Sequence, residues 1–208
     1  MTQSPACAFL YRTVLDPIDE HMLLKDIQFL DDATRPPIPK LENVTEAQKA
    51  PGEHLKQIHD HLRENMVVLG RLIERASEGK ASVEEIKSET ADLVMVSNYR
   101  RFGTLCGQYC QFVHGHHSIE DYAIFPGIAA QGPAFKAIAD RLQAEHVVVH
   151  QLLERLIDAL IALADAPGPS NFEDAVTVFR ALEKVLLSHL HYEEESIGDA
   201  LGYFEIGV

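Results

Sequence analysis

Four stretches of the sequence bring metal-binding side chains into helical register: HDHLR at 59–63, HHSIEDYAIFP at 116–126, EHVVVH at 145–150 and HLHYEEESI at 189–197. Residues four apart share one face of a helix, with Cβ atoms about 6 Å apart. His116 and Glu120, His146 and His150, and His189 and Glu193 are three such pairs, and His59 adds an imidazole from a fourth place. Imidazole and carboxylate together, without thiolate, form a ligand set for iron or manganese rather than for copper(I) or zinc. His146-Val-Val-Val-His150 lacks the glutamate that a metalloprotease helix carries after its first histidine, so that chemistry is not expected.

These residues must be held by helices. Strand patterns are nearly absent, and four long amphipathic segments run from about 53 to 77, 82 to 124, 134 to 164 and 171 to 196, a pattern expected to give an all-α, up-down antiparallel four-helix bundle. Ser82 and Glu85 have capping-box spacing, and Gly103, Gly107 and Gly115 point to a kink in the second segment. Residues 1–51 read as an extended arm with one short helix near Pro17 to Leu30, because Pro36, Pro37, Pro39 and Pro51 interrupt any helical period. Residues 52–208 then form the bundle.

A stripe alternating three and four apart identifies the inward face of each segment. The stripes are Leu55, His59, Leu62, Met66, Leu69, Ile73; Phe102, Cys106, Tyr109, Val113, His116, Glu120, Ala123; Leu142, His146, Val149, Leu153, Leu156, Leu160; and Ala175, Phe179, Leu182, Leu186, His189, Glu193, with His150 on the row beside the third. Every stripe is interrupted by histidine, and two carry a carboxylate one turn later. A buried carboxylate without a partner costs several kcal/mol, and no Lys or Arg lies on the stripes at that level. A divalent cation supplies the missing charge. His59, His116, Glu120, His146, His150, His189 and Glu193 are too many ligands for one ion, whereas two ions sharing two carboxylates use them all and leave room for an oxo or hydroxo bridge.

Composition narrows the alternatives. With 208 residues, 18 Lys and Arg against 32 Asp and Glu, and a formal charge of -14, the chain lacks the basic face that a nucleic-acid binder needs. It has no apolar run long enough to span a bilayer, no basic start followed by an apolar stretch as in a secretion signal, and only three cysteines. A reduced cytoplasmic setting without membrane contact is the expectation.

The four motifs, in this order over about residues 52–205, resemble those of the hemerythrin-like (HHE cation-binding) family. The resemblance implies a centre of two iron ions bridged by Glu120 and Glu193. It also implies an unequal division of terminal histidines, leaving one position open for dioxygen, nitric oxide or peroxide. His116 to Glu120 and His189 to Glu193, each followed four residues on by isoleucine, fit a pseudo-twofold pair. The arm is not part of the minimal family domain.

Other readings accompany this one. His117 and Asp121 repeat the spacing one residue out of phase and are read as flanking residues, with ligand roles the less favoured alternative; His61 is the alternative to His59. Asp121, Glu145 and Glu194 are candidates to orient ligand imidazoles. His54, His114 and His191 are read as surface or supporting residues, Cys106, Cys110 and Tyr109 as packing residues, and Tyr122 as off the stripe. A carrier or sensor of a small molecule is the leading expectation, because an all-histidine terminal set favours reversible binding over substrate oxidation. The alternatives are a di-iron enzyme consuming peroxide, nitric oxide or oxygen, and iron sensing or structural metal binding.

Overall fold

The structure, a computed structural model, describes residues 22–77, 108–166 and 168–207. Four long helical segments carry most of them: α1 (Glu46–Ser77), α2 (residues 108–129), α3 (Pro133–Asp165) and α4 (Pro169–Tyr203). Neighbouring helices run antiparallel. Along α1 the chain passes from Gly52 beside Gly198 to Gly70 beside Phe179, while α2 and α3 pair His117 with His150 and Asp121 with His146. The expectation of an all-α bundle is met.

Proline sets several of the boundaries. Pro133 and Pro169 occupy the first turns of α3 and α4, where a missing N–H leaves no bond unmade. Pro51 does not end the arm, as the sequence suggested; it lies inside α1, which begins at Glu46. The start comes from a capping box. Thr45 Oγ1 accepts from the Gln48 amide at 3.3 Å, and Gln48 Oε1 accepts from the Thr45 amide at 3.0 Å. The first two turns of α1 then cross the end of α4 at glycines. A Cβ at Gly52 would stand 2.5 Å from the Gly198 carbonyl oxygen, and one at Gly202 only 1.9 Å from that of Gln48.

The expected distortion of α2 occurs, though not at Gly115. Residues Glu120–Ile124 form a π turn in which the Phe125 amide reaches back to the Glu120 carbonyl. Pro126 explains it, since its ring would strike the carbonyl four residues earlier in a regular helix and the wider turn relieves the contact. The extra residue shifts the inward face. Ala123 of the expected stripe is exposed and Ile124 is buried instead. The other described stripe positions are buried; Phe102, Cys106, the Ser82 cap, Gly103 and Gly107 lie outside the described residues, as does the side chain of Ile73.

Two apolar clusters fill the bundle. One contains Leu62, Met66, Val113, Val149, Leu186 and Leu190; the other contains Leu55, Ile124, Phe125, Leu142, Tyr192 and Ile197. The interrupting histidines and glutamates lie between them. The arm packs on the outside, with Leu24 and Ile27 buried in the first cluster. Where a short helix was expected, residues 22–26 form turns, and residues 35–42, which hold three prolines, form neither helix nor strand.

Candidate metal centre

The layer between the clusters is a closed group of imidazoles and carboxylates. His59, His117, Glu120, His189 and Glu193 are fully buried, His146 is 1% exposed and His116 is 9% exposed. Three sets of ligand atoms approach within 4.8 Å of one another: His59, His116 and Glu120; Glu120, His146 and Glu193; and His117, His146 and His189. Six of the seven positions expected from the sequence therefore meet. The seventh, His150, stands further out and is half-buried, with Nε2 3.2 Å from His117 Nδ1.

His117 takes the inner place. Its ring stacks on that of His146 with centroids 3.9 Å apart and planes 5° from parallel, and its Nε2 is buried without a hydrogen bond. The signal was present in the sequence as the pair His116-His117. A helix between two neighbours buries a face more than 100° wide, so adjacent residues can point inward toward different partners. His116 turns toward His59 on α1, and His117 toward His146 on α3. His61 is exposed and packs edge-on against Phe112, away from the layer.

Outer contacts orient the inner atoms. His59 Nδ1 lies 2.9 Å from Glu194, His146 Nδ1 lies 2.9 Å from Asp121, and His189 Nδ1 lies 3.0 Å from Glu145. Carboxylates only accept, so each Nδ1 carries the hydrogen and each Nε2 turns its lone pair inward. Asp121, Glu145 and Glu194, the three candidates to orient imidazoles, each accept from one. The inward nitrogens then face one another, His59 with His116 at 3.0 Å and His146 with His189 at 3.1 Å. Two lone pairs at that distance repel unless a proton or a metal cation lies between them. Two ligands at right angles, each about 2.1 Å from one ion, stand about 3 Å apart.

The carboxylates present the complementary problem. Both oxygens of Glu120 and of Glu193 are buried without a hydrogen bond, so an ionised carboxylate there needs a positive charge beside it. Glu120 divides its oxygens: Oε1 is 3.0 Å from His116 Nε2, and Oε2 is 3.6 Å from His146 Nε2. Glu193 Oε2 lies 3.6 Å from His59 and 3.4 Å from His189. Burial, reinforced by the charge of Glu193, pushes the Glu120 carboxyl well above its ordinary range. Burial also lowers His116, His117 and His146, keeping them neutral with lone pairs available. At His189 burial works in the same direction, but the hydrogen bond to Glu145 and the negative charge of Glu193, 3.4 Å away, prevail and lift it to about 9. A field that holds a proton there also attracts a metal cation, and the donor set fits one.

The hemerythrin HHE cation-binding domain matches residues 51–201. The chain belongs to that family. No curated protein and no solved structure matches it. This hemerythrin-like chain thus joins a family defined by cation binding to a helical bundle whose buried layer is rich in the ligands such binding needs. Among the described residues no helix is long and apolar enough to cross a membrane. Cys110 is buried and the thiol is pushed up to about 11 by that burial, which makes it an inert packing residue rather than a ligand.

Proposed function

We propose that this hemerythrin-like chain is a non-haem di-iron protein that binds dioxygen, or a related small molecule such as nitric oxide or peroxide, as a carrier or sensor. The observation that carries the reading is the division of Glu120, one oxygen toward the His59 and His116 side and the other toward His146. His117, His146 and His189 would hold one ion and His59 and His116 the other, with Glu120 and Glu193 standing between the two sets to serve both. His150 takes the role of holding His117 rather than that of a ligand. When bound, iron would supply reversible electron exchange with a small molecule, and the His59 and His116 side, with two imidazoles against three, is the less fully furnished of the two.

The chain's own residues set the conditions. Asp121, Glu145 and Glu194 fix the orientation of three imidazoles, and the two apolar clusters above and below keep bulk water from the layer. Five imidazoles against two carboxylates give a shell poorer in negative charge than the glutamate-rich sites of oxygen-activating bundles, which favours release over oxidation. Metal analysis with an absorption spectrum before and after exposure to oxygen tests the reading. Two irons per chain and a spectral change reversed by removing oxygen are expected. Absence of iron, or catalytic removal of peroxide or nitric oxide in place of a reversible change, would overturn it.

A further inference from the structure

The arm lies outside the matched family domain, yet it reaches the metal layer through one side chain. Pro36 holds Arg35 in extended backbone, φ -60° and ψ 136°, which directs the side chain across α3 and α4. There its guanidinium grips Glu145 with both edges, Nε to Oε1 at 2.9 Å and Nη2 to Oε2 at 3.2 Å. The same Oε2 accepts from His189 Nδ1 at 3.0 Å. Ser188, the neighbour of His189, accepts from Arg35 Nη1 at 3.0 Å and donates to Asp32 of the arm at 2.6 Å. Arg35 stacks over the Tyr192 ring at 4.7 Å, and Tyr192 donates to the Pro36 carbonyl at 3.1 Å. The contact is largely closed to solvent, with side-chain exposures of 14% for Arg35 and 5% for Glu145.

We propose that Arg35 is a positioning residue of the metal centre, by which the N-terminal arm controls how strongly His189 donates to its ion. A carboxylate that accepts from an imidazole Nδ1–H makes the other ring nitrogen a stronger donor, and outer partners of this kind tune a metal's affinity and potential. Arg35 draws charge from Glu145 by a planar two-point contact that a lysine, a single point charge, does not reproduce. Without Arg35, Glu145 pulls harder on the His189 hydrogen, Nε2 becomes more electron-rich, and the oxidised ion is favoured. Arg141, 2.7 Å from Glu145 Oε1, remains to hold the carboxylate in place, so the change is one of degree.

This inference rests on the di-iron reading, and its test separates the two. Full-length wild type, Arg35→Ala, Arg35→Lys and Tyr192→Phe are loaded with ferrous iron, checked by circular dichroism and metal analysis, and titrated spectroelectrochemically. Arg35→Ala is expected to keep two irons per chain with a midpoint potential shifted negative. Arg35→Lys should recover only part of that shift, and Tyr192→Phe, which cuts an arm contact without touching Glu145, should show little. If wild type takes up no iron, the di-iron reading fails. If wild type loads and Arg35→Ala keeps its potential, or Tyr192→Phe shifts it equally, the role of Arg35 is refuted.

Discussion

Exchanging the roles of two histidines makes the sharpest test of the metal layer. Spacing in the sequence favours His146 and His150 as a ligand pair, whereas the structure puts His117 beside His146 and His189 and leaves His150 one ring further out. The one hydrogen-bond contact of His150 with the layer is to His117, 3.2 Å from its Nδ1. Losing an outer partner of a ligand imidazole costs about 10- to 100-fold in metal affinity, or about 1.4 to 2.7 kcal/mol. For His150→Ala the lower end is expected, because the site is half-open and water can accept from His117 in its place. Two irons per chain should then remain at saturating iron. His117→Ala removes one of three imidazoles around one ion and the ring stacked on His146, so stoichiometry should fall toward one. Iron per chain after gel filtration, with chelator competition for affinity, reads both. If His150→Ala loses an ion while His117→Ala keeps two, or if both keep two, the assignment of His117 is wrong.

Two further outcomes follow from packing and burial. Gly202→Ala drives a methyl into the Gln48 carbonyl, a backbone group that cannot step aside, and should cost at least the 1 to 3 kcal/mol typical of overpacking, a fall of roughly 2 to 12 °C in Tm by thermal melt. Gly115→Ala, with nothing within 4 Å and inside a helix, should be neutral or stabilising by up to about 1 kcal/mol; equal losses for both would discard the crossing argument. Cys110, with its thiol raised to about 11, is protonated at pH 8 to all but roughly one part in a thousand, so iodoacetamide should label it only as pH approaches that value. Peptide mapping that found rapid labelling of the native protein at pH 8 would contradict its burial.

The sequence carried the fold class and most of the layer because both follow from helical period. An apolar stripe interrupted by His59, His116, His146 and His189 at one level on four segments leaves few arrangements in which buried glutamates at 120 and 193 are tolerable, and the family motifs agree with it. Local chemistry also made Asp121, Glu145 and Glu194 legible as hydrogen-bond acceptors for neighbouring imidazoles. What the period could not supply was anything that depends on helix rotation or on distant segments. The π turn at Glu120–Ile124 moves the inward face by one residue, and the choice between His117 and His150 depends on how α2 faces two neighbours at once. The crossing of α1 over α4 depends on Gly52 and Gly202 each meeting backbone of the opposite helix.

The arm shows the same division most plainly. Its prolines announce extended chain, but nothing local to Arg35 marks a partner 110 residues away. Spacing along one helix is encoded locally, since neighbours three and four apart meet whatever the rest of the chain does. Contacts between elements are set only when the apolar faces close together, and that closure decided which imidazoles turn inward and which side chain of the arm reaches them.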